Sequence, residues 1–309
     1  MASLTFFKAC LEMASQTSSL MLVLFVLLHM VLCTIESKPT TEIFRRLVGC
    51  RKGHTVQGVY ELKQFVKKLG YLNYDGGKHG KDNEFDDDLE AAIKAYQVNY
   101  QLNTTGILDD DTLKQMMKPR CGIADMIIHG DKNSKSFYRI GASQYEFFMG
   151  NPKWPLSKTH LTYNFRSSVD VYLAEDIRSV CFRAFERWAN VSHFTFEEIP
   201  EDYIADIEIG FHSGDHGDGY PFDGPQGTLA HASPPTDGKL HYDADENWST
   251  SPGPDDIDLE SVTVHEIGHL LGLQHSLVPD AVMYAYFDSG ITKRRLNRDD
   301  VHGIRALYD

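Results

Sequence analysis

The chain has 309 residues, enough for one large domain or two modest ones. Hydrophobic residues make up 42% and charged residues 24%, the balance of an ordinary soluble globular protein. A formal net charge of −14 argues against nucleic acid as a partner, because phosphates recruit Lys and Arg; clustered Asp and Glu suit calcium, a hard cation that takes oxygen ligands.

Residues 20–35 read LMLVLFVLLHMVLCTI, a short apolar run with Lys8 upstream and Glu36-Ser37-Lys38 after it. This is the pattern of a signal peptide over residues 1–37, with a signal anchor as the alternative; the run is short for a membrane span and is interrupted by His29. No second apolar stretch of spanning length follows, and the C-terminal Ala306-Leu307-Tyr308-Asp309 is not a lipid-anchor tail. A secreted chain without a stable membrane anchor is therefore expected. In such a chain the sequons at Asn103, Asn190 and Asn247 permit glycosylation. Cys10 and Cys33 fall in or before the leader's apolar run, leaving Cys50, Cys121 and Cys181. An odd number points to a free thiol with a function; whether Cys50 and Cys181 pair stays open.

The spacing predicts a small helical domain from about residue 45 to residue 117. Val56, Val59, Tyr60, Leu62, Phe65, Val66 and Leu69 recur with helical period, and Gly70 is a stop. Residues 74–80, rich in glycine, read as a surface loop. Leu89, Ile93 and Tyr96 form a second stripe with Asp86 to Asp88 at its N-terminal end, and Asp109 is placed to cap a third helix through Leu113 and Met117. The segment Pro119-Arg120-Cys121-Gly122-Ile123-Ala124-Asp125 follows. Residues 131–143 are polar and lack apolar periodicity, which marks a linker. Beyond it, residues 161–165 alternate like a strand, 171–190 carry a helical stripe, and 194–196 and 204–211 read as further strands.

The densest chemistry lies at His265-Glu266-Ile267-Gly268-His269-Leu270-Leu271-Gly272-Leu273-Gln274-His275. Residues four apart share a helix face, so His265 and His269 can aim two imidazoles at one ion. Glu266 lies one step round the helix, within reach of a water on that ion. Gly272 permits a sharp turn, and the turn returns His275 as a third ligand. Three nitrogens leave the fourth tetrahedral position for water, the open geometry of a catalytic zinc. Asp258 is a good N-cap for this helix, and Leu259, Val262, Val264, Ile267, Leu270 and Leu271 would seat it in a core.

These residues resemble the metzincin zinc peptidases. Ser276 and Met283, the latter where the family has its Met-turn, resemble the matrixin branch. The resemblance implies an α/β catalytic domain over residues 144–309, a twisted sheet with the active-site helix and a cleft between. It also implies a propeptide over residues 38–143, whose three-helix part resembles small peptidoglycan-binding domains. Residues 119–125 resemble the matrixin cysteine switch, in which Cys121 as thiolate takes the fourth zinc position and Arg120 pairs with Asp125. Ile123-Ala124 depart from the family's usual residues there. The linker would be cut so that the mature enzyme begins near residues 138–147; it has no tight basic cluster, and the activating protease is unknown.

By the same resemblance His216, Asp218, His231 and His241 form a structural zinc site. Asp223, Asp243 and Glu246, with the carbonyls of Gly224, Gln226 and Thr228, form a calcium site. The loop between His231 and His241 is shorter than in most animal relatives, so a second calcium site that would use it with Asp206 is not expected. Leu229 and Ala230 would lie on the edge strand to which an extended substrate adds, while Ala285, Phe287 and a small Ser261 would shape a deep pocket for a large apolar P1′ residue. The closing helix around residues 299–308 and a chain without haemopexin-like repeats resemble the plant matrixins.

The reading is a secreted zinc endopeptidase made as a zymogen, acting in the extracellular space, or the apoplast or cell wall of a plant, on protein or peptide substrates. A monomer is expected. Two other readings compete. One is a catalytically silent protein whose first domain holds a wall glycan; intact His265, Glu266, His269, His275 and Met283 count against it. The other is a calcium-binding structural protein, separated from a peptidase by chelation during a casein-type assay.

Overall fold

The computed structural model describes residues 39–73, 82–125, 144–169 and 174–309. The segment read as a signal peptide, the 74–80 loop and the 131–143 linker lie outside the described residues. Residues Thr40–Asp309 form one compact unit.

Four helices open the described chain: α1 (Pro39–Arg45), α2 (Val59–Lys68), α3 (Asp87–Asn99) and α4 (Asp110–Met116). The three helices expected between residues 45 and 117 are α2, α3 and α4; α1 precedes them and adds Phe44 to the buried face. Asp86 caps α3 by accepting from Leu89 N at 2.8 Å, and Asp109 caps α4 by accepting from Thr112 N at 2.9 Å. Each such cap is worth about 1 kcal/mol. Leu62, Val66, Phe85, Leu89, Ile93 and Tyr96 fill the space between the helices.

A six-stranded mixed sheet follows. Its strands are β1 (Arg120–Cys121), β2 (His160–Phe165), β3 (Thr195–Glu198), β4 (Ile207–His212), β5 (Thr228–Ala232) and β6 (Lys239–Asp243), in the order β1-β5-β6-β4-β2-β3. Only the β5–β6 pair is antiparallel. The expected strand at 204–211 begins later, at Ile207, and Ile204 is fully exposed. The reason is Asp206, whose carboxylate, rather than a strand carbonyl, accepts from Thr162 N at 2.8 Å.

Helix α5 (Ala174–Ala189) packs against α6 (Leu259–Leu270), with Trp188 Nε1 donating to Val264 O at 2.8 Å. Every residue of α6 is buried, including Glu260, which is held by Arg183 and Arg187 of α5 and by Arg294. Asp258 caps α6, accepting from Ser261 N at 3.0 Å. A short β7–β8 pair (Trp248–Ser249 with Ile257–Asp258) leads into α6, and α7 (Arg298–Tyr308) closes the chain behind a capping box of Asn297 and Asp300. Among the described residues no helix is long and apolar enough to cross a membrane.

The two cores interlock. Cys121 belongs to the apolar core of the sheet, while Ala285 and Tyr286, from the segment after α6, belong to the core of the helical domain.

Candidate active site

His265 and His269 stand one turn apart on α6, and the helix ends at Leu270. Gly272 follows with φ of +102°, and a side chain there would press on the Pro152 carbonyl oxygen. The turn brings His275 back. The ligand atoms of Cys121, His265, His269 and His275 all lie within 4.8 Å of one another, and all four residues are buried.

The tautomers follow from the outer partners. His265 Nδ1 is 2.7 Å from Val282 O, and His269 Nδ1 is 2.8 Å from Leu273 O. A carbonyl oxygen only accepts, so both Nδ1 atoms carry the proton and both Nε2 atoms present lone pairs. Those two Nε2 atoms face each other at 3.0 Å, with Cys121 Sγ 3.4 Å from His269 Nε2. Lone pairs opposed at that distance repel unless a cation lies among them. Burial first, then the neighbouring imidazoles, holds both rings well below the usual histidine range, which keeps them neutral, the form that binds metal. Tetrahedral zinc suits three imidazoles and a thiolate.

Glu266 is fully buried beside this cluster, and neither carboxylate oxygen makes a hydrogen bond of good geometry. Burial pushes its carboxyl up to about 8. Burial and the Glu266 carboxylate together push the Cys121 thiol well above its usual value, so only a cation at the cluster would make a thiolate there. Ile123 N donates to Cys121 Sγ at 3.4 Å.

Met283 packs beneath the cluster against Gly268, where any side chain would run into its sulfur. Asp300 fixes this floor, accepting from Val282 N and Met283 N, both at 3.0 Å. Sequence reasoning missed Asp300; its only signal was local, a capping residue for α7.

Strand β1 lies between two walls. On one side Arg120 N donates to Gly227 O at 2.9 Å and Gly122 N to Ala230 O at 2.8 Å, beside Leu229 and Ala230. On the other, Cys121 N donates to Ala285 O and Phe287 N to Pro119 O, each at 2.9 Å. Ser261, expected at a pocket floor, has its hydroxyl committed to Asp258 Oδ2 at 2.5 Å and to Lys293 N at 2.6 Å, in the first turn of α6.

A second cluster joins His216, Asp218, His231 and His241. Their ring nitrogens lie 2.9, 2.7 and 3.0 Å from a single oxygen, Asp218 Oδ2. His216 Nδ1 is 3.0 Å from Gly214 O, which leaves the His216 Nε2 lone pair aimed at a carboxylate. Burial pulls His231 and His241 down to about 4, so neutral rings crowd an anion, the donor set of a closed zinc site.

Asp223, Asp243 and Glu246 form no comparably tight cluster of ligand atoms among the described residues. They do share one loop: Asp223 Oδ1 accepts from Thr228 N at 2.8 Å and Glu246 Oε1 from Gly227 N at 3.2 Å. Asp243 Oδ2 is buried without a hydrogen-bond partner, and burial pushes this carboxyl up to about 6. Gly224 and Gln226 sit in the same loop with positive φ. Asp206 instead pairs with Lys158 Nζ at 2.8 Å. Asn103, Asn190 and Asn247 are exposed. Cys50 and Cys181 are separate buried thiols, with no disulfide between them.

A matrixin family model matches residues 153–309, and a model described as a putative peptidoglycan binding domain matches residues 55–116. The chain is 45% identical over 277 residues to metalloendoproteinase 5-MMP of Arabidopsis thaliana, covering 86% of this chain and 75% of that protein. It is 46% identical over 262 residues to metalloendoproteinase 1 of Glycine max, covering 83% of each. The chain belongs to the matrixin family. As a matrixin it is a zinc metalloendopeptidase. The likeness is broader than plants: matrix metalloproteinase-16 of Homo sapiens is 37% identical over 231 residues, 71% of this matrixin and 37% of the human protein.

Proposed function

We propose that this matrixin is a secreted zymogen whose Cys121 blocks the catalytic zinc, and whose mature form cleaves proteins of the extracellular matrix or cell wall. The observation that carries the latency is the Cys121 sulfur, 3.4 Å from His269 Nε2 at the centre where the imidazole lone pairs converge. His265, His269 and His275 would hold the ion. A zinc ion bound there supplies a Lewis acid that polarises the scissile carbonyl and acidifies a water. Glu266 takes the proton from the attacking water and later hands it to the leaving amine. Leu229 and Ala230 on one wall, and Ala285 and Phe287 on the other, offer backbone groups to an extended substrate once the residue 119–122 strand has left. In the latent state Cys121 denies Glu266 its water. The apolar run at residues 20–35 supports secretion, and secretion in turn supports an extracellular substrate.

The test of latency is thiol reactivity in the intact, zinc-loaded protein. Iodoacetamide should leave Cys121 unmodified until zinc is stripped, and then label it while the equally buried Cys50 and Cys181 remain as internal controls. Alkylation of Cys121 with zinc in place and activity still absent would sink the switch.

The structural ions are read in the same way. His216, Asp218, His231 and His241 would take zinc, and the loop carrying Asp223 with Asp243 and Glu246 would take calcium. An ion that binds only the folded state stabilises by about 2.7 kcal/mol at a hundredfold excess over its Kd, equivalent to a Tm rise of roughly 5–10 °C for a domain of this size. A Tm insensitive to calcium at every concentration would reject the Asp223, Asp243 and Glu246 assignment.

A further inference from the structure

We propose that Asp125 is an outer-sphere residue of the catalytic metal centre, so that the propeptide grips the centre twice: Cys121 Sγ at the converging nitrogens and Asp125 Oδ1 on the ring of His275. The inference rests on the reading of His265, His269 and His275 as zinc ligands.

The three rings are not supported alike. His265 and His269 find their Nδ1 partners in the carbonyls of Val282 and Leu273, which belong to the catalytic part of the chain. His275 Nδ1 lies 3.0 Å from Asp125 Oδ1, which belongs to the propeptide. The Asp125 carboxylate is buried and ion-paired with Arg120. A carboxylate paired with a guanidinium accepts, so His275 carries its proton on Nδ1 and turns the Nε2 lone pair to the centre. A carboxylate behind a metal-binding imidazole fixes the ring and raises its basicity.

The helical domain aims this carboxylate. Arg120 Nη2 reaches Asp125 Oδ1 at 2.6 Å and Nη1 reaches Oδ2 at 3.2 Å. Tyr71, just after α2, and Tyr100, at the C-cap of α3, donate their hydroxyls to Asp125 Oδ2 at 2.9 and 2.7 Å. Gln274 Nε2 donates to Ala124 O at 3.0 Å, and Gln274 Oε1 accepts from His275 N at 2.8 Å, which ties the two segments side by side. An ion pair that merely shaped the switch loop would need none of these links to His275. Removal of the propeptide takes away the thiolate and the carboxylate together. The latent form therefore holds its metal through a better third imidazole as well as through sulfur.

The direct measurement is the NMR spectrum of histidine side chains in the zinc-loaded zymogen, before and after activation of the same sample. A slowly exchanging Nδ1–H proton is expected on each of the three rings. Activation should shift or abolish that of His275 and leave those of His265 and His269 hydrogen-bonded. A second measurement is zinc release to a chromophoric chelator. Asp125→Asn should speed release from the zymogen by about 10-fold or more, and leave release from the activated enzyme unchanged, since residue 125 is then gone. Arg120→Gln removes the ion pair but keeps a charged acceptor on His275, whereas Asp125→Asn leaves only a neutral one, so Arg120→Gln should release zinc more slowly than Asp125→Asn. A His275 Nδ1–H signal indifferent to activation, or equal release from the two variants, overturns the proposal. Zinc that perturbs none of the three rings overturns the ligand assignment, and this inference with it. The spectra of the wild-type chain decide the matter even if Asp125→Asn does not fold.

Discussion

Glu266→Ala leaves the protein folded and zinc-loaded, yet after activation it hydrolyses peptides at least ~10²-fold more slowly than wild type, the low end for losing a general acid–base group. The separation of the two effects comes from the geometry. Glu266 makes no hydrogen bond of good geometry and supplies none of the clustered ligand atoms, so its removal unties nothing in α6. Zinc content by atomic absorption and turnover of a casein-type substrate give the two readouts. Retained turnover would show that another group carries the proton.

Cys121→Ser yields a precursor that processes itself and is active before any other protease is added. A neutral hydroxyl is a far poorer zinc ligand than thiolate, so water regains its place beside Glu266. Activity of the unprocessed chain should rise by on the order of 10²-fold over wild-type zymogen, the least that a restored general base confers. The substitution removes the sulfur but none of the backbone groups through which β1 pairs on both sides, so the unprocessed chain turns substrate over only when that strand lifts away. The experiment therefore separates ligation by sulfur from steric cover of the cleft. If Cys121→Ser stays latent, strand pairing alone is enough to exclude substrate.

The parts of the site that could be read from sequence are those set by covalent spacing. His265 and His269 share a face because a helix has 3.6 residues per turn, and Asp258 announces where that helix begins. The caps Asp86 and Asp109 were equally local. What sequence hid lies between elements far apart in the chain. Nothing near Asp125 marks Tyr71 or Tyr100 as its partners, and nothing near Asp300 shows that it carries the segment under the metal cluster. Ile204 opens the run that reads as a strand; the side chain of Asp206 takes the hydrogen bond that an earlier strand start would have made. Helix α1 is short and has too few turns to show a period.

The exchange of residues between the two cores ties the proposed activation to the stability of the helical domain. Ala285 and Tyr286 complete the apolar interior of the helical domain, and Tyr96 and Tyr286 share a hydrogen bond at 2.7 Å between buried hydroxyls. A propeptide cut free leaves those residues behind. The face that Ala285 and Tyr286 covered, with the Tyr96 hydroxyl, then meets water and loses the stabilisation of that burial. A detached piece would be a poorer fold than the attached one. Rebinding would have to rebuild that shared interior.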